Sequence, residues 1–350
     1  LPKETNALKG KGNVMDYTLR FWAENIKPDD VLNRGLPYLQ SYRAGVAIAL
    51  REEDLNEECA IALRGLEEAR VSVSFWPLLS LEIGYFPCER NFLDYISFVE
   101  KVLAWAQNAG VSPDVIAVDL ELPFSQVVEI LKAGKLKIVP KTFGILRENL
   151  SSSRFKQAHS AFAELQGFVR SRGIRVLTAV LPWVLLELDG SFDLIQDMME
   201  TPVFGIDWDI ISPMFYVSMI SGMSGGFVNE RDANWLTYKA CCELADRFSE
   251  KAGVSLGVTG TGILGNEPSF DTPERLVIGI EAALAAGITD ISIYNLEGIL
   301  EREDPEHWFD LIRSAKPRIP PESRKISAAL QIGRKTYPFI ARFIKRFSRG

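Results

Sequence analysis

The sequence predicts an α/β protein, a single-domain (β/α)8 TIM barrel with a basic helical extension at its C-terminus. Two observations predict it. Eight short apolar runs alternate with helical patterns over about 300 residues, the signature of a parallel sheet with crossover helices. No glycine-rich fingerprint follows the first run, as an open doubly wound sheet would want. Eight strand–helix units close naturally into a barrel, and 350 residues suit one such domain.

The units follow in order. Residues 3–13 are polar and glycine-bearing, a loose lead-in to a first strand over 14–22. A helix is expected from Pro28 to Gln40, where proline opens the first turn, and a compact apolar strand over 44–50. Leu63 and Leu66 belong to the apolar face of a helix over 55–69, and Val71 to Pro77 reads as the third strand. Residues 91–109 carry apolar side chains at helical spacing, and 114–122 is the fourth strand. The mixed section 124–172 predicts two helices on either side of 135–140. The fifth strand spans 175–183, a short helix 194–199, and the sixth strand 209–216. A glycine- and serine-rich loop at 221–226 leads to a helix over 232–251. The seventh strand is 254–258, a helix with Pro273 near its start is 272–286, the eighth strand 290–295, and the last helix of the repeat 305–314. The barrel therefore takes residues 1–315 and the extension 316–350.

Composition narrows the class. With 47% hydrophobic and 24% charged residues, the chain is an ordinary globular one, and no apolar run reaches the roughly 18 residues of a membrane span. Two histidines, and four cysteines with no Cys-x-x-Cys, argue against a zinc site, so no metal and no cofactor is expected. The adjacent Cys241 and Cys242 read as packing residues in a helix. The first residue is Leu, which fits a processed start, and a secreted or periplasmic location is the expectation. Net charge is −7 but unevenly placed: residues 316–350 hold ten Lys/Arg against Glu322, or +9, which leaves −16 for residues 1–315. An acidic body argues against nucleic acid as the ligand.

In a barrel the site gathers where strands end at the C-terminal rim. The strand ends supply Arg20, Trp22 and Glu24; Arg51 and Glu52; Trp76; Asp119 and Glu121; Trp183; Met214 and Tyr216; Thr259 and Thr261; and Tyr294, Asn295 and Glu297. Aromatic faces stack on the C–H surface of sugars while carboxylates bind hydroxyls and protonate a leaving oxygen. A carbohydrate, a polysaccharide or an oligosaccharide, is the expected partner and substrate. Asp119 and Glu121 stand two apart in an apolar strand, so alternation directs both acids to one face. Buried side by side, two carboxyls separate in pKa, and one can keep a proton for general acid work. The blander reading makes them structural ion-pair partners, and makes Trp22, Trp76 and Trp183 filling between strands and helices. Asp16, Arg20, Glu24, Arg51 and Glu52 are candidates for specificity by their placement alone.

Asp114-x-x-Ala117-x-Asp119-x-Glu121 resembles the Asp-x-x-Asp-x-Asp-x-Glu signature of family 18 glycoside hydrolases, the chitinase-like barrels, and falls on the fourth strand as it does there. Met214-Phe-Tyr216 is similar to that family's Met-x-Tyr on the sixth strand. Val180-Leu-Pro182 and Ile293-Tyr294-Asn295-Leu-Glu297 are looser echoes. The resemblance implies Glu121 as general acid and Asp119 as the group that orients a substrate acetamido N–H. It implies Tyr216 as the donor to the acetamido carbonyl, and Tyr294 in place of the tryptophan that floors the cleavage subsite. The substrate's own acetamido oxygen would be the nucleophile. The seventh strand ends Gly257-Val-Thr-Gly-Thr-Gly-Ile263 without an acid, which suits a scheme lacking an enzyme nucleophile; Glu297 is the alternative second carboxylate. The chain departs from the pattern at Ala117, where the family has an aspartate. It also lacks the eighth-strand tryptophan and the third-strand Ser-x-Gly-Gly.

Two other classes compete. A non-catalytic sugar-binding barrel would show the same aromatic rim. A phosphate-handling barrel is suggested by the four glycines of 257–265, against which stands the acidic rim with no lysine at a strand end. In the extension, Phe339, Ile340, Phe343, Ile344 and Phe347 recur at helical spacing among Arg342, Lys345 and Arg346. This pattern fits either an amphipathic helix over 326–349 lying on an anionic membrane or acidic surface, or a terminal helix packed on the acidic barrel.

Overall fold

The computed structural model describes residues 17–132, 138–224 and 226–347. Asp16, the lead-in and the start of the expected first strand lie outside the described residues. Eight parallel strands close a barrel in sequence order: β1 Thr18–Ala23, β2 Gly45–Leu50, β3 Val73–Pro77, β4 Val115–Leu120, β5 Arg175–Val180, β6 Ile210–Tyr216, β7 Gly253–Gly257 and β8 Asp290–Tyr294. β8 returns to β1, pairing Trp22 with Tyr294.

Between β1 and β2 the expected single helix is α1 (Pro28–Asp30), a π-helical stretch Val31–Gly35 and α2 (Leu36–Ser41). α3 (Glu57–Glu68) starts at Asn56, whose side chain accepts from the Cys59 N–H at 3.0 Å, and α4 (Phe92–Ala109) stops at Gly110, whose φ of 68° suits a residue without Cβ. The section after β4 holds three helices rather than two: α5 (Phe124–Lys132), α6 (Ile138–Asn149) and α7 (Ser152–Arg170). The added boundary falls at Leu150, just before Ser151 at the N-cap of α7. A 3-10 turn, Pro182–Glu187, and α8 (Leu194–Met198) follow β5; α9 (Val217–Met223) leaves β6 directly. α10 (Glu230–Phe248) opens with a reciprocal cap between Asn229 and Asp232. α11 (Pro273–Ala285), α12 (Leu296–Leu300), α13 (Pro305–Ser314) and α14 (Arg324–Phe347) complete the chain. The cysteines are free thiols, and no described helix is long and apolar enough to cross a membrane.

Alternation along each strand makes two cores. Outward residues such as Phe21, Ile48, Phe75, Val118, Phe215 and Ile293 pack under the helices, and inward ones such as Ala47, Ala117, Leu177, Ala179 and Ile210 fill the barrel. The lower interior is a polar plug. Arg20 is 3% exposed and donates to Asp290 at 3.0 and 3.4 Å and to Ser292 at 3.1 Å. This corrects the expected place of Arg20. The first strand runs on to Ala23, so Arg20 lies one inward layer below the rim and neutralises a buried aspartate. Above the plug, the inward faces end in Trp22, Trp76, Asp119, Met214, Tyr216 and Tyr294.

The extension is docked on the barrel. Ser327 accepts from the Trp235 indole at 2.9 Å, Lys325 pairs with Asp232 at 2.6 Å, and Arg334 pairs with Glu243. Near its far end, Tyr337 donates to Glu187, and Arg342 lies 5.8 Å from the ring of Phe192. One face is thus buried, with Ile326 and Ala341 in contact, whereas Ile332, Phe339 and Phe343 are more than 60% exposed.

Candidate active site at the C-terminal rim

A cleft of about 560 Å³ opens over the ends of the strands, and its floor brings together Trp22, Glu24, Trp76, Asp119, Glu121, Met214, Tyr216 and Tyr294, with Trp183 at its edge. The strand register explains the floor. Asp119 ends the inward series Val115-Ala117-Asp119 of β4, and Glu121 continues it one step beyond the strand. Trp22 and Trp76 meet edge to face with centroids 4.8 Å apart, and the Trp22 indole donates to Ser255 at 3.2 Å. They are buried packing residues and cleft floor at once. Trp183, 58% exposed on the 3-10 turn after β5, fills no core.

All three acids of the floor are shifted upward. Burial, then Asp119, then Glu24 push Glu121 well above the usual carboxylate range. Asp119 is raised by burial and by Glu24. Glu24 is raised by burial although three groups oppose the shift: Tyr294 and Tyr85 donate to its two oxygens, the latter at 2.6 Å, and Arg51 lies close. Burial and the same acids raise the Tyr216 hydroxyl well above its ordinary value. Below Asp119, Ala117 sits in an apolar layer with Ala179 and Leu177, so the upward shift of Asp119 arises from desolvation and from Glu24 across the barrel.

Buried polar atoms of a folded protein nearly always have partners. Three in this cleft have none among the described residues: Asp119 Oδ1, Trp76 Nε1 and Glu267 Oε2. They leave an acceptor, a donor and a second acceptor for a polar ligand.

Six expected strand-end residues lie outside the cleft lining besides Arg20. Arg51 donates to the Tyr85 hydroxyl at 2.9 Å and the Glu24 carbonyl at 3.3 Å, and so braces Glu24 from behind. Asn295 is fully buried, caps α12 through Gly298, and donates to Glu297 at 2.9 Å. Glu297 accepts from the Glu24 and Asn25 N–H groups at 3.3 and 3.0 Å, and burial raises its carboxyl to about 7. Glu52 pairs with Lys101 at the surface. These positions are strand ends, but their side chains turn into the loop layer. Thr259 straps Asn295 from below through its carbonyl and N–H at 2.6 and 2.9 Å, and Thr261 is exposed.

Sequence reasoning missed Tyr85 and Glu267. Tyr85 lies in the loop after β3, where no strand-end count reaches. Glu267 lies in the glycine-bearing loop after β7; it lines the cleft and accepts from the Leu264 N–H at 2.9 Å. The seventh strand's end through Ile263 carries no acid, and Glu267 reaches the cleft from further along the same loop. The glycines there serve close packing: a Cβ on Gly262 would fall 2.0 Å from the Tyr294 hydroxyl, and one on Gly298 2.4 Å from the Gly260 nitrogen. Among the described residues no group of His, Cys, Asp and Glu could hold a metal ion.

No family model matches the sequence, and no curated protein matches it. Solved structures do. The glycoside hydrolase domain of PgaB (BpsB) from Bordetella bronchiseptica superposes with a TM-score of 0.51 at 11% identity, over 87% of this chain and 99% of that one. Its barrel is similar to that of a glycoside hydrolase. The catalytic domain of a beta-amylase from Paenibacillus polymyxa (TM-score 0.48, 10% identity, 86% and 99% covered) and an L-ribulose 3-epimerase (0.46, 11%, 94% and 98%) are barrels too. At 11% identity the likeness to the first of these establishes the fold alone.

Proposed function

We propose that the protein is a glycoside hydrolase acting on an oligosaccharide or other glycoside that contains N-acetylhexosamine, with Glu121 as general acid. The observation that supports this most directly is the meeting of Glu121 and Asp119, whose carboxyls burial shifts upward, at the end of β4, in a cleft floored by Trp22, Trp76, Tyr216 and Tyr294. The motif likeness to family 18 adds the assignment of roles. Glu121 gives its proton to the glycosidic oxygen as the bond from that oxygen to C1 breaks. The acetamido carbonyl oxygen attacks C1 from the other face and forms an oxazolinium ion, whose N–H Asp119 accepts and orients. Tyr216 donates to the same carbonyl oxygen before attack. Glu121, now a carboxylate, takes a proton from the water that opens the ring at C1, and configuration is retained. The test is release of reducing ends from a panel of glycans with and without N-acetylated sugars, by wild type and Glu121→Gln. Activity confined to N-acetylated substrates and lost in the variant supports the scheme; activity confined to plain glucans contradicts it.

A second reading draws on Glu267, whose unpartnered oxygen lines the cleft. In that reading Glu267 is the nucleophile of a two-carboxylate retaining mechanism, and no acetamido group is needed.

A further inference from the structure

We propose that the substrate of this cleft is an amphipathic glycoside, a sugar joined to a long apolar chain that lies against the aliphatic wall of the cleft. The inference rests on the glycosidase reading for the sugar end and on independent geometry for the chain.

Carbohydrate clefts must satisfy hydroxyls along their length, because each buried polar group left unpaired is costly. Here the polar side chains sit at the floor and at Glu267. Outside them, and apart from the aromatics, Thr142 is the one lining residue among those described that bears a hydroxyl or amide. The wall built by α5, α6, α8, α9 and the 3-10 turn is aliphatic, with Leu131, Leu146, Leu186 and Ile195 facing the same space. Met198, Met199 and Met219 line it as well, and Met214 lies on the floor beside it. Thioether side chains reshape to fit flexible apolar ligands, and cavities of this volume bury most of such a molecule. A polysaccharide would find no partners on that wall. An alkyl or isoprenoid chain would.

Such an aglycone can come from a dissolved hydrophobic glycoside or from a glycolipid held in a bilayer. The extension favours the bilayer. α14 is fixed to Glu187, next to Leu186 at the cleft mouth, and turns Ile332 and Phe339 outward beside Arg324, Lys335 and Arg342 on an otherwise acidic body. Exposed aromatic and aliphatic residues flanked by cations suit an anionic lipid surface.

The test uses the full chain and Glu121→Gln, with methyl, butyl, octyl and dodecyl N-acetylglucosaminides of both anomers, below their micelle concentrations. Binding is read from tryptophan fluorescence and hydrolysis from sugar release. Affinity should climb by up to about fourfold per methylene before levelling off. Leu131→Glu, at a half-exposed position, should flatten that climb and leave methyl glycoside binding unchanged. Affinity independent of chain length overturns the inference, and cleavage of the methyl glycoside would then leave the glycosidase reading standing. A steep climb without cleavage supports the apolar wall and removes the reading that the sugar end is an N-acetylglucosaminide cleaved with Glu121 as acid. For the source, sedimentation with vesicles containing phosphatidylglycerol should capture wild type and not Phe339→Asp, while octyl glycoside binding stays equal. No capture of wild type by those vesicles overturns the bilayer source and leaves a dissolved aglycone.

Discussion

The Tyr294 hydroxyl donates to a carboxylate oxygen of Glu24 across the seam where β8 meets β1, and so ties the last strand of the barrel to the acid that raises Asp119 and Glu121. Tyr294 is therefore a regulator of cleft charge as well as part of the cleft floor.

Tyr294→Phe removes a hydrogen bond that favours ionised Glu24. Glu24 then holds its proton to higher pH, bears less negative charge, and raises Glu121 less. The alkaline limb of the activity profile, set by loss of the Glu121 proton, should move to lower pH. A pH–kcat/KM profile checks the direction; a shift to higher pH contradicts the coupling. The unpaired buried oxygen should also lower stability by about 1–3 kcal/mol.

Arg20→Met leaves Asp290 buried without its cation. Breaking such a pair costs about 3–5 kcal/mol, because the remaining charge has no compensation. Denaturant unfolding should show that loss, while the kcat of the folded fraction stays near wild type, since Arg20 lies below the cleft. A kcat falling a hundredfold with stability intact would return Arg20 to the site.

Glu267→Gln separates the two mechanisms. With an acetamido nucleophile the variant keeps most of its kcat and azide has no effect. With Glu267 as nucleophile, Glu267→Ala should be nearly inactive, and azide should restore turnover by attacking C1 to give a glycosyl azide. The product is read by mass spectrometry.

Several carboxyls are raised by burial, Glu89 to about 9 and Glu297 to about 7. In the unfolded chain glutamate titrates near 4.3, so between roughly pH 4.3 and 9 the native state binds more protons than the unfolded one. Stability should therefore fall as pH rises through that window. Melting should be higher at pH 5 than at pH 8, and Glu89→Gln should flatten the slope. A melting temperature that rises from pH 5 to pH 8 would rule this out.

The barrel was legible because each strand carries its own alternation: β4, for instance, reads Val115-Ala117-Asp119 inward and Ile116-Val118-Leu120 outward. The floor acids were legible for the same reason, since Asp119 and Glu121 share a parity. Arg20 misled because one inward step along a strand of uncertain end separates rim from interior. Asn295 and Glu297 misled because a short helix begins at the strand end and turns their side chains toward backbone N–H groups. Glu267 and Tyr85 lie in loops, whose course depends on contacts with distant residues such as Tyr294 and Glu24, and local sequence carries no period for that. The three-helix section after β4 hid its boundary at Leu150 because α6 and α7 are both amphipathic and nearly continuous.

The most direct measurement is the dependence of the Glu121→Gln defect on the leaving group. A general acid matters when the departing oxygen is basic and hardly at all when it is not. Against wild type, kcat/KM of the variant should drop by about 10²–10⁴ for an alkyl N-acetylhexosaminide and only severalfold for a nitrophenyl one, whose phenolate leaves unaided. Equal losses on both substrates, or none on either, would contradict Glu121 as the proton donor.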